Sequence, residues 1–158
     1  MIRTSDSRAP ASWRARPRSF VALMSLYESN HVRLGWLAGD LRRLAGAQRS
    51  VVAADCDLLL TVTERSPYTS TLNLTYLIAD PGPGAAGPLA IPDMTVRVYH
   101  DARLAEAHGW AQSHVHAGLR AWRGAAEREL DQRWARNMML NKWLDYCVER
   151  GHGFVTPA

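Results

Sequence analysis

The chain has 158 residues, of which 47% are hydrophobic and 22% are charged, and its net charge is +4. This size and balance suit one globular domain with a sizeable core. No apolar run approaches the roughly eighteen residues of a membrane span, and no apolar segment of a secretory signal is present, so we expect a cytoplasmic protein that contacts no membrane.

The positive charge lies in the first eighteen residues. Five of the 19 basic residues and one of the 15 acidic residues lie there, which leaves 14 of each sign in the rest of the chain. Duplex-binding domains normally concentrate positive charge on a folded face. We therefore predict a disordered basic tail at 1–18 and a single domain at 19–152, with nucleic acid contacted at most weakly by the tail.

The first predicted element is a helix of roughly five turns that begins after Ser19, a favourable N-cap residue. Apolar side chains recur at spacings of three, four and seven from Phe20 to Leu41, while glycines weaken the far end. Asn30 falls on this apolar stripe, and a buried amide has to be hydrogen-bonded. We interpret it as a structural contact to a strand or to another helix.

Strands follow. A β-rich run at 58–63, a turn at 65–68 and an alternating run at 69–78 predict a hairpin, with a short strand at 51–53 before it. After a loop rich in glycine and proline at 80–88, a third strand is predicted at 94–99. A tight turn at 100–102 leads to a fourth strand at 103–107, and residues 109–124 stay open between strand, loop and helix.

A second long helix is predicted from about 126 to 150, with Asn137 on its apolar stripe and Gly151 as its C-cap glycine. Asn137 has the same structural interpretation as the first buried amide. The resulting fold class is α+β: an antiparallel meander of about four strands, with the N-terminal and C-terminal helices packed on the sheet.

The segment PDMTVRVYHDA at 92–102, followed by Ala105-Glu106, resembles the signature of the YqiB-like proteins, a bacterial family of unknown function. Further matches follow the same order in the segments 26–30, 64–69 and 137–151. The resemblance covers about residues 20–152, with departures at 109–124 and 131–136. It implies no activity, cofactor or substrate.

The main candidate site consists of Arg97, Tyr99, His100, Asp101 and Glu106. Strand alternation puts Arg97 on the face away from the core, and hairpin pairing puts it opposite Glu106. One interpretation is structural, with a cross-strand ion pair, Asp101 holding the turn and His100 closing the core. The other is functional, with Arg97 binding phosphate or carboxylate and His100 transferring a proton.

Two further candidates, Glu64 and Tyr68, flank the first hairpin turn. In a meander the first and third turns lie at the same end of the sheet. Glu64 and Tyr68 are therefore expected on one rim with His100 and Asp101. The structural alternative is turn chemistry together with an ion pair between Glu64 and Arg65.

The sequence contains no catalytic, cofactor or metal motif. The histidines at 108, 114 and 116 resemble a metal-ligand spacing, but no cysteine or carboxylate accompanies His114 and His116, so no metal site is predicted. Cys56 and Cys147 are expected to be reduced thiols.

We expect a non-catalytic domain that binds a protein partner or a second copy of itself through sheet surface left uncovered. The alternative is a binder or weak hydrolase of a phosphorylated or nucleotide-like small molecule, which requires a shared cleft.

Overall fold

The computed structural model describes residues 19–78, 83–84, 89–110 and 125–154. These ranges contain two long helices, a 3₁₀ turn and one five-stranded antiparallel sheet. The α+β class and the meander are confirmed, with five strands instead of four. In chain order the elements are α1 (Phe20–Ala38), the 3₁₀ turn (Leu41–Arg43), β1 (Ala47–Ser50), β2 (Asp57–Arg65), β3 (Thr69–Ile78), β4 (Leu89–Tyr99), β5 (Leu104–Trp110) and α2 (Ala125–Glu149).

The ends of both helices follow from local chemistry. The Ser19 hydroxyl accepts a hydrogen bond from the Ala22 N–H, as an N-cap residue does. The first helix stops at Gly39, whose φ of 71° lies in the left-handed region that glycine tolerates best. After α2, Gly151 adopts a φ of 90°, as predicted for a glycine that ends a helix.

The additional strand is β1, and the predicted strand at 51–53 is wrong. Those residues lie in the loop between β1 and β2, whereas Ala47–Ser50 pairs with β2 from Ala47↔Thr61 to Ser50↔Leu58. The sequence AQRS contains no β-branched or aromatic residue, so its low β-propensity does not predict a strand. Pairing with the long neighbouring strand supplies the order that local preference does not.

The core lies between the helices and one face of the sheet. Alternate residues of β2 to β5 are buried on that face, and the buried side chains of α1 and α2 pack against them. Fully burying each leucine stabilises the fold by about 1.5–3 kcal/mol relative to leaving it exposed. The largest of the side chains that are almost completely buried are Leu26, Leu34, Leu37, Leu44, Leu58, Leu60, Leu72, Leu74, Met94, Leu140 and Leu144.

The two helices lie side by side and run parallel. Asn141 donates to the Ser29 hydroxyl over 2.9 Å, and Arg33 pairs with Asp145 over 2.8 Å. Because the residues of the second contact lie four positions further along each helix than those of the first, the two helices run in the same direction. Near their shared C-terminal end, the Phe154 N–H donates to the Leu37 carbonyl over 2.9 Å.

Some sequence predictions lie outside the described residues. These are the basic tail at 1–18, most of the loop at 80–88 and residues 111–124, which include His114 and His116. Residues 109 and 110, left open from the sequence, complete β5. Within the described ranges, no helix is both long enough and apolar enough to cross a membrane.

Candidate functional site: a basic cavity at one end of the sheet

The β2–β3 turn and the β4–β5 turn lie side by side, as the meander predicts. Thr69 pairs with Tyr99 across β3 and β4, and the His100 N–H donates to the Tyr68 carbonyl over 2.9 Å. Residues from both turns therefore meet at one end of the sheet. The C-terminal end of α1 and the 3₁₀ turn reach the same place through Gly39 and Arg42.

A cavity of about 240 Å³ opens at this end and is here called the rim cavity. Its lining combines helix, 3₁₀ turn and hairpin residues. Two of them are histidines and two are arginines, while Asp40 is the one acidic member. The lining residues are His31, Gly35, Gly39, Asp40, Leu41, Arg42, His100 and Arg103.

Arg103 has the most unusual backbone of these residues. Its φ is 55°, and within the described ranges it is the only residue other than glycine in the left-handed region. For a side chain of this size such a conformation costs on the order of 1–3 kcal/mol. No carboxylate of the described part of the chain forms an ion pair with its guanidinium. In contrast, Arg42 pairs with Asp101 over 2.8 Å.

Burial and neighbouring positive charge favour the neutral form of both imidazoles of the rim cavity. His100 is buried and hydrogen-bonded through Nε2 to the Ser70 hydroxyl over 2.8 Å. Burial lowers its pKa, and the guanidiniums of Arg42 and Arg65 lower it further, against the opposing carboxylates of Asp101 and Asp40. The pKa of His31 is also lowered, first by burial and then by His100 and Arg103.

The other candidates from the β4–β5 hairpin lie elsewhere. Arg97 is opposite Glu106, as the predicted register requires, and neither belongs to the core-facing set of β4 and β5. Glu106 accepts a hydrogen bond from the Tyr99 hydroxyl over 2.9 Å and lies 3.3 Å from His108 Nε2. From the edge strand, Glu106 also interacts with Tyr27 of α1 and lines a second cavity with Arg133 and Arg136 of α2. Burial, followed by Glu106, raises the pKa of Tyr99. Arg97 and His100 therefore do not line one volume.

The candidates around the two turns contribute unequally to the rim. Glu64 and Tyr68 are exposed, and neither lines the rim cavity. The Asp101 side chain, expected to hold the turn, instead reaches Arg42. Arg65 donates to the Arg42 carbonyl, so it is the arginine of the first turn that braces the rim.

Asn30 and Asn137 are completely buried at the free edge of β5. The Asn137 Oδ1 accepts the Ala107 N–H over 2.7 Å, and the Asn30 Nδ2 donates to the Ala105 carbonyl over 3.3 Å. The two side chains also bond to each other over 3.2 Å, and Asn141 donates to Asn30 over 3.1 Å. Side-chain amides thus pair with backbone groups at the β5 edge, where a sixth strand would otherwise bond.

A second polar cluster, here called the buried latch, consists of Ser50, Asp55, Tyr76, Cys147 and His152. His152 bonds to Ser50 Oγ through Nδ1 and to Asp55 Oδ2 through Nε2, each over 3.0 Å. The Tyr76 hydroxyl donates to the same carboxylate oxygen over 2.9 Å and lies 3.4 Å from Cys147 Sγ. These contacts join β1, the following loop, β3, α2 and the segment after α2.

The buried latch has the residue types of a hydrolytic triad but not the access. The His152 side chain has 0% exposure and that of Asp55 has 10%, so a substrate cannot reach the pair. Burial raises the pKa of the Cys147 thiol to about 11, which keeps it protonated and unreactive. Burial opposes ionisation of Asp55, but hydrogen bonds from Tyr76, Cys56 N–H and His152 outweigh it and lower the pKa. The cluster therefore serves to hold the fold.

Sequence reasoning identified His100 and Asp101 but missed the other main residues of both clusters. Asp55 and His152 are 97 residues apart, and no local signal connects them. Arg103 was assigned to a regular strand, where a left-handed residue was not expected. The one feature of the sequence that is compatible with a left-handed conformation at Arg103 is its place directly after a turn, together with a side chain that is not β-branched.

Metal binding finds no support in the described part of the chain, where no group of three or more potential ligands is clustered. Both cysteines are unpaired, with Cys56 exposed and Cys147 buried. The described ranges thus form an α+β domain with a basic cavity at one end of the sheet and a buried polar network elsewhere.

Family comparison assigns this domain. A model for proteins of unknown function, DUF1249, matches residues 33–153, so the chain belongs to that family. It is similar to three relatives, each described as uncharacterized protein YqiB, from Escherichia coli strains K12, O6:H1 and O157:H7. Each is 29% identical over 138 residues, which cover 84% of this chain and 90% of the relative. The resemblance to YqiB-like proteins is thereby confirmed. No solved structure matches the chain.

Proposed function

We propose that the domain binds a small anionic ligand, a phosphate or a carboxylate, in the rim cavity. The observation that carries this proposal is Arg103, a guanidinium without a carboxylate partner among the described residues, held at φ 55° beside a cavity. Backbone strain of this kind persists where the surrounding structure enforces it, and it concentrates at functional sites. A guanidinium fork is also the group best suited to anions with two or more oxygens.

The neighbouring contacts support a preorganised site. Asp101 neutralises Arg42 over 2.8 Å, and Asp40 accepts the Arg42 N–H over 3.1 Å, so both carboxylates already have partners. Arg65 braces the same segment through the Arg42 carbonyl. The Arg42 backbone is thus held at its N–H and its carbonyl, whereas its guanidinium and the Asp101 carboxylate are more than half exposed.

Thermal unfolding of the full chain with sulfate, phosphate or acetate, at constant ionic strength set with chloride, tests the proposal. A ligand at one hundred times its dissociation constant raises the free energy of unfolding by about 2.7 kcal/mol. We expect this increase to disappear in Arg103→Gln. It should persist in the control Arg49→Gln, which removes an arginine that pairs with Asp57 outside the cavity. An equal response of both variants would refute the site.

Self-association is a second candidate, favoured by the outer surface of α1. Val21, Val32 and Trp36 are exposed there, the last at 61%, and apolar residues all round a helix usually indicate that its outer side is covered. The proposed occupant is a second copy of the chain. Light scattering after size exclusion tests this, since Trp36→Glu should convert a dimer to a monomer while Tyr146→Glu on α2 should not. A monomeric parent chain rules it out.

A cytoplasmic location belongs to the same proposal. Cys56 and Cys147 are both unpaired, and free thiols are usual in a reducing compartment. Phosphorylated metabolites are also available there.

A further inference from the structure

We propose that the ligand of the rim cavity is a phosphomonoester bound as its dianion, and that binding draws a proton onto the imidazole pair His31 and His100. The inference rests on the anion binding proposed above. The inference adds the class of the ligand and the uptake of a proton on binding, neither of which follows from anion binding alone.

The number of donors distinguishes phosphate from carboxylate. A carboxylate offers two oxygens in one plane, and a single guanidinium fork satisfies both of them. A phosphomonoester offers three terminal oxygens and a charge of about −1.5 to −2 at neutral pH. The rim cavity is lined by Arg103 and His100 of the β4–β5 turn and by His31 of α1, so it offers two imidazoles in addition to the guanidinium. For a carboxylate the two imidazoles would be superfluous.

The charges that face each ring explain the proton. His31 on α1 faces His100 and Arg103 of the β4–β5 turn, and burial adds to their effect in lowering its pKa. A dianion placed between Arg103 and the rings reverses the local field, because an adjacent negative charge favours the protonated imidazole. A monoanion would be largely neutralised by Arg103 and would leave the rings uncharged.

His100 has more neighbours, and they act in both directions. Arg42 of the 3₁₀ turn and Arg65 of the β2–β3 turn oppose its protonation, while Asp101 and Asp40 favour it. Its Nε2 is engaged with Ser70 of β3. His31 is half-buried and has no such bond among the described residues, so we expect it to take up the larger share of the proton.

Proton uptake makes the affinity depend on pH. Wherever the complex binds more protons than the free protein, the association constant rises as the pH falls, by up to about tenfold per pH unit for each proton. The rise should occur below the ordinary imidazole pKa of 6.5 and extend upwards as far as the ligand raises that value. Above this range the affinity should become constant.

Sulfate is the appropriate probe, because it is a tetrahedral dianion that does not itself titrate near neutral pH. Calorimetric titration of the full chain with sulfate and with acetate, in two buffers of different ionisation enthalpy, measures both affinity and proton uptake. We expect the sulfate affinity to rise by about three- to tenfold between pH 7.5 and pH 6, with uptake of up to one proton. Acetate should bind more weakly and with little uptake.

Matched variants locate the proton. His31→Gln should remove most of the proton uptake and flatten the pH dependence, while His108→Gln, which changes a histidine outside the cavity, should leave both intact. His100 is buried, so His100→Gln is interpreted only where thermal unfolding shows that the variant folds. NMR titration of the imidazole C–H resonances, with and without sulfate, reports the same shift without calorimetry.

The outcomes separate the two proposals. Sulfate binding without proton uptake, or acetate binding as tight and as pH-dependent as that of sulfate, overturns the ligand class and the linkage but keeps the anion site. Failure of both anions to bind at any pH overturns the anion site itself. Proton uptake that persists in His31→Gln and disappears in His108→Gln also overturns the inference, because the proton then resides outside the cavity.

Discussion

Two serine–histidine pairs of the molecule have similar hydrogen-bond lengths but use different ring nitrogens, Nε2 in His100 and Nδ1 in His152, and have different surroundings. Ser70 bonds to His100 over 2.8 Å at the rim cavity, and Ser50 bonds to His152 over 3.0 Å in the buried latch. The second pair is buried and continues to the half-buried carboxylate of Asp55, whereas the first lies at a cavity that is also lined by two arginines. The pair alone therefore does not define a role, since access and neighbouring charge decide what the histidine can do.

The two clusters also differ in how their polar groups are matched. In the buried latch each side chain has at least one partner, and Asp55 accepts hydrogen bonds from both Tyr76 and His152. At the rim cavity, Arg103 is strained and pairs with no described carboxylate. Stability and binding make opposite demands here, because a site that has satisfied all its own groups has none left for a ligand.

The largest expected effect concerns the buried latch. Asp55→Ala leaves the buried His152 Nε2–H without its acceptor and the Tyr76 hydroxyl with only the weakly accepting Cys147 sulfur. We expect the free energy of unfolding to fall by about 3 kcal/mol, because each unsatisfied buried donor costs roughly 1–3 kcal/mol. Urea denaturation followed by circular dichroism measures the loss.

Asp57→Ala is the matched control, since Asp57 pairs with the exposed Arg49 nearby. Surface ion pairs of this kind contribute at most about 1 kcal/mol. Equal losses in the two variants would mean that the latch is no more than another surface contact.

Next in size is the amide pair at the β5 edge. Asn137→Ala removes the acceptor of the Ala107 N–H and one partner of Asn30. We expect a loss of about 2 kcal/mol, together with faster hydrogen exchange of the Ala107 amide. Gln132→Ala, an exposed substitution on the same helix, should change neither quantity. Unchanged exchange at Ala107 in Asn137→Ala would contradict the role of this amide as a strand substitute.

At the rim cavity, in contrast, one substitution should raise the free energy of unfolding. Arg103→Gly relieves the left-handed backbone and should raise the free energy of unfolding by about 1 kcal/mol. The same substitution should abolish anion binding. Ala102→Gly is the control, because Ala102 lies one residue earlier in the turn and has no positive φ. This substitution should not raise the free energy of unfolding. A destabilised Arg103→Gly protein would show that the arginine makes contacts worth more than its strain.

The smallest effect is the order in which acid weakens the two clusters. The pKa values of His31 and His100 are lowered from 6.5, so the unfolded chain binds more protons and stability falls as the pH drops below about 6.5. The pKa of Asp55 is lowered from 3.8, so its contribution is lost only in stronger acid. Stability measured against pH should flatten near pH 6 in His31→Gln and below pH 4 in Asp55→Asn. A single transition that both variants move equally would mean that the clusters are not independent.

The sequence was sufficient for features governed by local periodicity. The two helices, the hairpins and the pairing of Arg97 with Glu106 follow from apolar spacing, turn residues and strand alternation. It was insufficient where a position depends on distant partners. Ala47–Ser50 becomes a strand because β2 offers an edge, and His31 becomes a cavity residue because the β4–β5 turn folds back onto α1.

The parallel arrangement of the helices has a consequence for synthesis of the chain. Asn30 bonds to Asn137, 107 residues later, and the first helix buries its apolar side partly against α2. During translation α1 therefore emerges long before the helix that completes its contacts, whereas Ala107 at the edge of β5 emerges only 30 residues before Asn137. Such non-local closure slows folding and leaves apolar surface and an unpaired strand edge exposed in the nascent chain. Chaperone capture at the ribosome should thus concentrate on α1 and end once α2 has left the exit tunnel.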